Sequence, residues 1–105
     1  FAASMPVPGT AGQRNTIRVS GLQPNQRVAL VWGMSDGAAP ISPSCPGASI
    51  LIRSPRLIGS ARADSNGRAQ FTVHIPGIAR GRSVRFQAVV AQQCQVSHFI
   101  EHTFE

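Results

Sequence analysis

The alternation of apolar and polar positions is most regular over residues 60–75. Ala69, Phe71, Val73 and Ile75 alternate with Arg68, Gln70, Thr72 and His74, and just before them Ala61 and Ala63 alternate with Arg62 and Asp64. A period of two turns one face of a strand to a core and the other to water. Between the two runs stands Asp64-Ser65-Asn66-Gly67. Asp64 can accept hydrogen bonds from the backbone two residues on, and Gly67 can take a positive φ without a Cβ clash. The stretch predicts a β-hairpin with strands over 57–64 and 68–75, stopped by Pro76-Gly77.

The same pattern, followed from the N-terminus, predicts further short strands. Residues 1–13 carry Pro6, Pro8, Gly9 and Gly12 without periodicity and read as an arm or linker ahead of a domain over 14–105. Phe1–Met5 lacks the charged start of a signal peptide and reads as the cut edge of a precursor or a cleaved N-terminus. Asn15–Ser20 is a strand with Ile17 and Val19 inward. Arg27–Trp32 is apolar on both faces, Val28, Leu30 and Trp32 opposing Ala29 and Val31, as a covered central strand requires. From Gly33 to Gly47 the chain turns to Gly, Pro, Ser and Ala, and Pro40, Pro43 and Pro46 exclude a regular central strand. Ser49–Ile52 is a short strand and Ile78–Arg82 a turn. Ser83–Ala91 is a long strand with Val84, Phe86, Ala88 and Val90 inward, and Val96–Phe104 is a last strand with mixed faces.

No segment has a helical period, and turn signals recur every ten residues or so. The expected fold is therefore all-β: about seven strands in an antiparallel two-sheet sandwich of immunoglobulin- or fibronectin-III-like type, with Trp32 over the core. A chain of 105 residues is one domain with room for a single core. It has no apolar run near the ~18 residues that a spanning helix needs.

Composition changes this picture in two ways. Cys45 and Cys94, one in each half, are too far apart in sequence for a metal or redox C-x-x-C motif. Joined, they would close a loop worth ~4 kcal/mol in the chain-entropy model; the alternative is two buried thiols in a cytosolic protein. A lysine-free, Ser-, Gly- and Pro-rich strand domain favours the disulfide, and with it a periplasmic or extracellular, cell-surface location. The charge is lopsided as well: ten Arg face Asp36, Asp64, Glu101 and Glu105, a net charge of +6. A GC-rich genome accounts for Arg in place of Lys. The charge itself draws the domain toward an acidic protein partner, an anionic polysaccharide or lipid head groups.

Candidate chemistry is sparse. Arg80, Arg82 and Arg85 gather near one turn, and Arg53 and Arg56 flank Pro55. They are either solvated turn charges or an anchor for an acidic partner. Nucleic acid is not expected, because the arginines are scattered and lack interleaved exposed aromatics. Cys94, His98 and His102 together suggest a copper loop, but no Met follows Cys94. On a strand His98 and His102 would stand ~13 Å apart, too far to grip one ion. No cofactor and no metal are expected, with His98 and His102 the weak alternative. The chain has no G-x-S-x-G, no phosphate-cradling Gly loop and few carboxylates, so no enzymatic activity is expected. A carbohydrate-binding module is a further alternative, disfavoured by a single Trp and no Tyr.

The order of Val19-Ser20-Gly21-Leu22-Gln23-Pro24-Asn25 before a strand, Cys45-Pro46-Gly47, the Asp64–Gly67 turn and Phe86-Gln87-Ala88-Val89 leading to Cys94-Gln95-Val96-Ser97 resembles one kind of sandwich domain. Such domains lie near the C-termini of largely uncharacterised secreted or surface proteins of GC-rich Gram-negative bacteria. The resemblance covers most of residues 15–104 and implies secretion and fold, with no activity attached. The expectation is a secreted, non-catalytic structural or accessory domain. It would bind a partner or build an assembly through residues 1–13 or its edge strands.

Overall fold

A computed structural model describes residues 1–41, 45 and 49–105. Ten strands lie among them: β1 (Ala2–Ala3), β2 (Arg14–Ser20), β3 (Arg27–Gly33), β4 (Ala39–Pro40), β5 (Ser49–Ile50), β6 (Arg56–Arg62), β7 (Ala69–His74), β8 (Ser83–Val90), β9 (Gln95–Val96) and β10 (Ile100–Thr103). No α-helix occurs among the described residues, only two short 3₁₀ turns at Gly77–Ala79 and Ala91–Gln93. The strands form a three-stranded sheet, β1-β2-β7, and a five-stranded sheet, β10-β8-β3-β6 with β9 also paired to β8. All pairs are antiparallel. The result is the expected two-sheet sandwich.

Its core lies where the alternation placed it. Ile17 and Val19 of β2 and Phe71 of β7 face Val28 and Leu30 of β3 and Val84, Phe86, Ala88 and Val90 of β8. Phe104 closes the end of this core, its ring edge-on to Phe86 at 6.3 Å. Each such side chain, fully buried, contributes roughly 1.5–3 kcal/mol.

The hairpin expected over 57–75 does not form. The Asp64 turn is present as read: the Asp64 carboxylate accepts from the backbone N–H of Asn66 and Arg68, and Gly67 N–H donates to Asp64 O. Gly67 has φ +74°, and a Cβ there would collide with the Leu22 carbonyl. But β6 pairs with β3 and β7 pairs with β2, so the chain crosses from one sheet to the other at this turn. The faces permit this. Ala61 and Ala63 on one arm and Ala69 and Phe71 on the other pack into the same core from the two sheets that enclose it, which satisfies the same alternation as a hairpin would.

Between β3 and β6, the described residues around 39–41 and 49–52 form a third layer behind the five-stranded sheet. Val31 and Val89, on the outer face of β3 and β8, bury Ile50 and Ile52, with Ala39, Ile41 and Val96 packed alongside. Of the strand expected over Ser49–Ile52 only Ser49–Ile50 is extended in a ladder, paired with Ala39–Pro40. The expectations for Pro43, Pro46 and Gly47 lie outside the described residues. The disulfide Cys45–Cys94 (S–S 2.09 Å) fastens this layer to the corner after β8.

Residues 1–13 lie along the three-stranded sheet. Ala2 and Ala3 pair with Ser20 and Val19, Val7 bridges Thr16, and Ala11 is buried in the core. The last strand is split: β9 and β10 share one edge of β8, interrupted at Ser97–Phe99. Its mixed pattern resolves into Ile100, His102 and Phe104 on the core side, opposite Phe86 and Val84, with Glu101 and Thr103 outward and exposed.

Candidate functional site

Three features of the surface carry polar or apolar groups that the core does not absorb. The first is an apolar cleft of about 250 Å³ at one end of the sandwich, between the two sheets. Trp32 and Met34 reach it from the end of β3, Ile58 from β6, Val73 and Ile75 from β7, and Ile78 from the following 3₁₀ turn. Phe86 and Phe104 form its inner wall. His74 and Arg82 are the titratable side chains in the lining, and no carboxylate lines it. Ile78 is 75% exposed and Met34 46%. The cleft lies between those ends of β6 and β7, the edge strands of the two sheets, that are remote from the Asp64 turn.

The second is a shallow hollow at the other end of β6 and β7. It is lined by Arg18, Arg62, Arg68, Asp64 and Gln70 around Ala61 and Ala69. Three guanidinium groups stand there beside a single carboxylate, itself engaged by backbone N–H groups of its own turn. The third is Arg85, on the outer face of β8. Its Nε donates to Glu101 Oε2 at 2.8 Å, its Nη2 pairs with Asp36, and its guanidinium lies 4.0 Å from the Phe99 ring centre.

The arginines singled out from the sequence are thus not one site. Arg80 and Arg82 are exposed at the turn beside the apolar cleft. Arg53 and Arg56 are exposed on the adjoining rim, around a separate depression with Ser35 and Ser54. Arg85 stands apart, its side chain 15% exposed and bound to two carboxylates. Its charge is therefore spent within the fold.

The histidines are separated too. His102 Nε2 is 3.0 Å from Gly9 O, and its ring is edge-on to Phe104 at 4.8 Å. His98 is exposed. Cys94, the third member of that sequence cluster, is in the disulfide, so the thiolate that a copper loop relies on is not available. Among the described residues no group of three or more His, Cys, Asp or Glu is placed to hold a metal ion. No helix among them is long and apolar enough to cross a membrane.

Two buried amides escaped sequence reasoning. Asn15 accepts from Gly9 N–H and donates through Nδ2 to Thr10 O and Gln13 O, both at 3.1 Å. Gln87 accepts from Leu51 N–H at 2.8 Å and donates to Ser97 O at 2.7 Å. Asn15 stands on the inward face of β2 with Ile17 and Val19, a polar residue at a core position, and is satisfied by the loop just before its strand. Gln87 stands at a position that a two-residue period assigns to solvent and is covered by chain 36 residues away in sequence. The cleft was missed for a different reason. An isoleucine inside the turn Ile78-Ala79-Arg80-Gly81-Arg82 was its one signal, and a turn carrying Ile among Arg and Gly reads locally as punctuation. No protein-family model, no curated protein and no solved structure matches this chain.

Proposed function

We propose that the chain is a non-catalytic, secreted domain of the periplasm or cell surface that binds a protein partner or builds an assembly with it. One observation carries the reading. The apolar cleft between the sheets continues outward onto Ile78 and Met34, both open to water, and meets Arg82 at its rim. Single exposed apolar residues are ordinary. An apolar cleft continuous with them and rimmed by charge is the usual form of a binding site, and Trp, Met and Arg are the types enriched in interfaces. The disulfide supports an oxidising compartment, and the net charge of +6 favours an acidic partner. Polysaccharide or lipid head groups would answer the charge but leave the cleft unfilled.

Native mass spectrometry of the unreduced protein from its source tests this reading. The expected result is a defined complex in which this chain's mass is lower by the hydrogens lost in forming one disulfide. A lone monomer with both thiols free would overturn compartment and role together.

A further inference from the structure

Resting on that reading, we infer that the partner presents an extended acidic segment that lies along the free edge of β6, with an apolar side chain in the cleft and a carboxylate among Arg18, Arg62 and Arg68. β6 and β7 are the outer strands of the two sheets, and their free edges run along the same side of the sandwich from cleft to hollow. An edge strand offers unpaired N–H and C=O groups that an added strand can complete. At one end of β6, Ile58 lines the apolar cleft. At the other end, Arg62 lines the cationic hollow.

Those two residues are four positions apart, up to ~13 Å along a strand, with a bulge between them: Leu30 pairs with Gly59 and Val31 with Leu57, leaving Ile58 as the extra residue. Ile58 and Ala61 both pack toward the core, so the bulge breaks the two-residue alternation before Arg62. The site therefore reads an apolar residue and an acidic residue three or four positions apart on a partner strand. The charges fix the sign. Arg18, Arg62 and Arg68 make no ion pair among the described residues, whose ion pairs are those of Arg85. No acidic residue occurs between Asp64 and Glu101, so β7, the following turn and β8 add only positive charge. Two copies of this chain, each at +6, would bring like charges edge to edge, which opposes self-pairing. A polyanion without side chains would neutralise the arginines and leave Ile78 and Trp32 uncovered.

The test uses the full, disulfide-intact protein and a fluorescent synthetic peptide of about ten residues, long enough to span the edge. It is made with Leu and Glu either three or four positions apart in a Thr-rich background. Control peptides replace Leu by Ser or Glu by Lys, and heparin and an oligonucleotide serve as plain polyanions. Binding of the Leu/Glu peptide alone is expected. Ile78→Asp and Arg62→Glu should each weaken it about tenfold or more, a change of about 1.4 kcal/mol or more, while Gln92→Glu on a distant exposed turn leaves it unchanged. Amide exchange should slow along 56–62. Both test residues are exposed, and thermal melts confirm that the variants fold. Failure of the peptide to bind, binding indifferent to Ile78→Asp, or equal binding of heparin without peptide selectivity would each overturn the inference. A native assembly that survives Ile78→Asp and Arg62→Glu would also overturn it, while leaving the protein a binding domain whose partner sits elsewhere.

Discussion

His102 Nε2 lies 3.0 Å from the carbonyl oxygen of Gly9, joining the last strand of the five-stranded sheet to the segment that leads into the three-stranded one. The chain ends reinforce this seam: Ala11 N–H donates to Glu105 O at 2.9 Å, and Glu105 N–H donates to Gly9 O at 3.3 Å. Asn15, fully buried, holds residues 9–13 in the loop that makes the seam possible. Residues 1–13 are thereby bound into the domain at both their strand pairing and their loop.

Gly9 is the residue this seam depends on. Its φ is +80°, and a Cβ on it would stand 2.6 Å from His102 Nε2. Gly9→Ala should therefore lower stability by about 1–3 kcal/mol, combining the backbone strain with displacement of the ring. That corresponds to a fall in Tm of ~4–8 °C for each kcal/mol in a domain of this size. Measuring the substitution again in a His102→Ala background separates the two causes. The backbone cost should remain and the ring cost vanish; identical losses in both backgrounds would remove His102 from the explanation.

Gln87 should be the most sensitive polar position. Its amide satisfies Leu51 N–H from the third layer and Ser97 O from the interruption between β9 and β10. Gln87→Leu keeps the volume and strands both groups, each at roughly 1–3 kcal/mol when buried. Denaturant unfolding should show a loss of about 2–4 kcal/mol. A loss below 1 kcal/mol would mean that water reaches one of the two partners.

What the sequence made legible is local. Period-two alternation located β2, β3, β7 and β8 and their inward faces, because each of those faces buries a run of aliphatic residues against the opposite sheet. The Asp64–Gly67 turn was legible down to the Asp64 carboxylate, because its hydrogen bonds join residues two and four apart. Which strands then pair was not legible, since a tight turn between two alternating runs suits a hairpin and a sheet-to-sheet crossing equally. Asn15 and Gln87 were hidden for a related reason. Gln87 is covered by Leu51, 36 residues away, and Asn15 by an irregular loop over residues 9–13 whose path the two-residue period does not describe. The apolar cleft needs Trp32, Ile58, Val73 and Ile78 to converge, and nothing in their spacing announces it.

Reduction should separate the third layer from the sandwich. The Cys45–Cys94 link spans 49 residues and holds the layer that covers Val31 and Val89, whereas the main core between the sheets contains neither cysteine. A Cys45→Ser, Cys94→Ser variant should lose about 2–5 kcal/mol. Amide exchange should rise first around Ile50, Ile52 and Gln87, with β2 and β7 still protected. Uniform loss of protection in one step would mean that layer and sandwich unfold as a single unit.

Arg85 should matter through its stem and its ring contact more than through its ion pairs. Asp36 is 81% exposed and Glu101 47%, so water and salt screen both, and exposed pairs contribute roughly 0–1 kcal/mol. The guanidinium itself rests 4.0 Å from the Phe99 ring centre, where a partly desolvated cation–π contact contributes roughly 0.5–2 kcal/mol. Asp36→Asn and Glu101→Gln should each cost under about 1 kcal/mol and lose that effect in high salt. Arg85→Ala should cost more, about 1–3 kcal/mol, because the packed stem and the ring contact go together. If Glu101→Gln alone reproduced the full Arg85→Ala loss, the ion pair and not the ring would hold this face of β8. Arg85→Ala should also leave binding of an acidic peptide unchanged, since its charge already has two carboxylates and it lines neither the cleft that Arg82 borders nor the hollow where Arg62 lies.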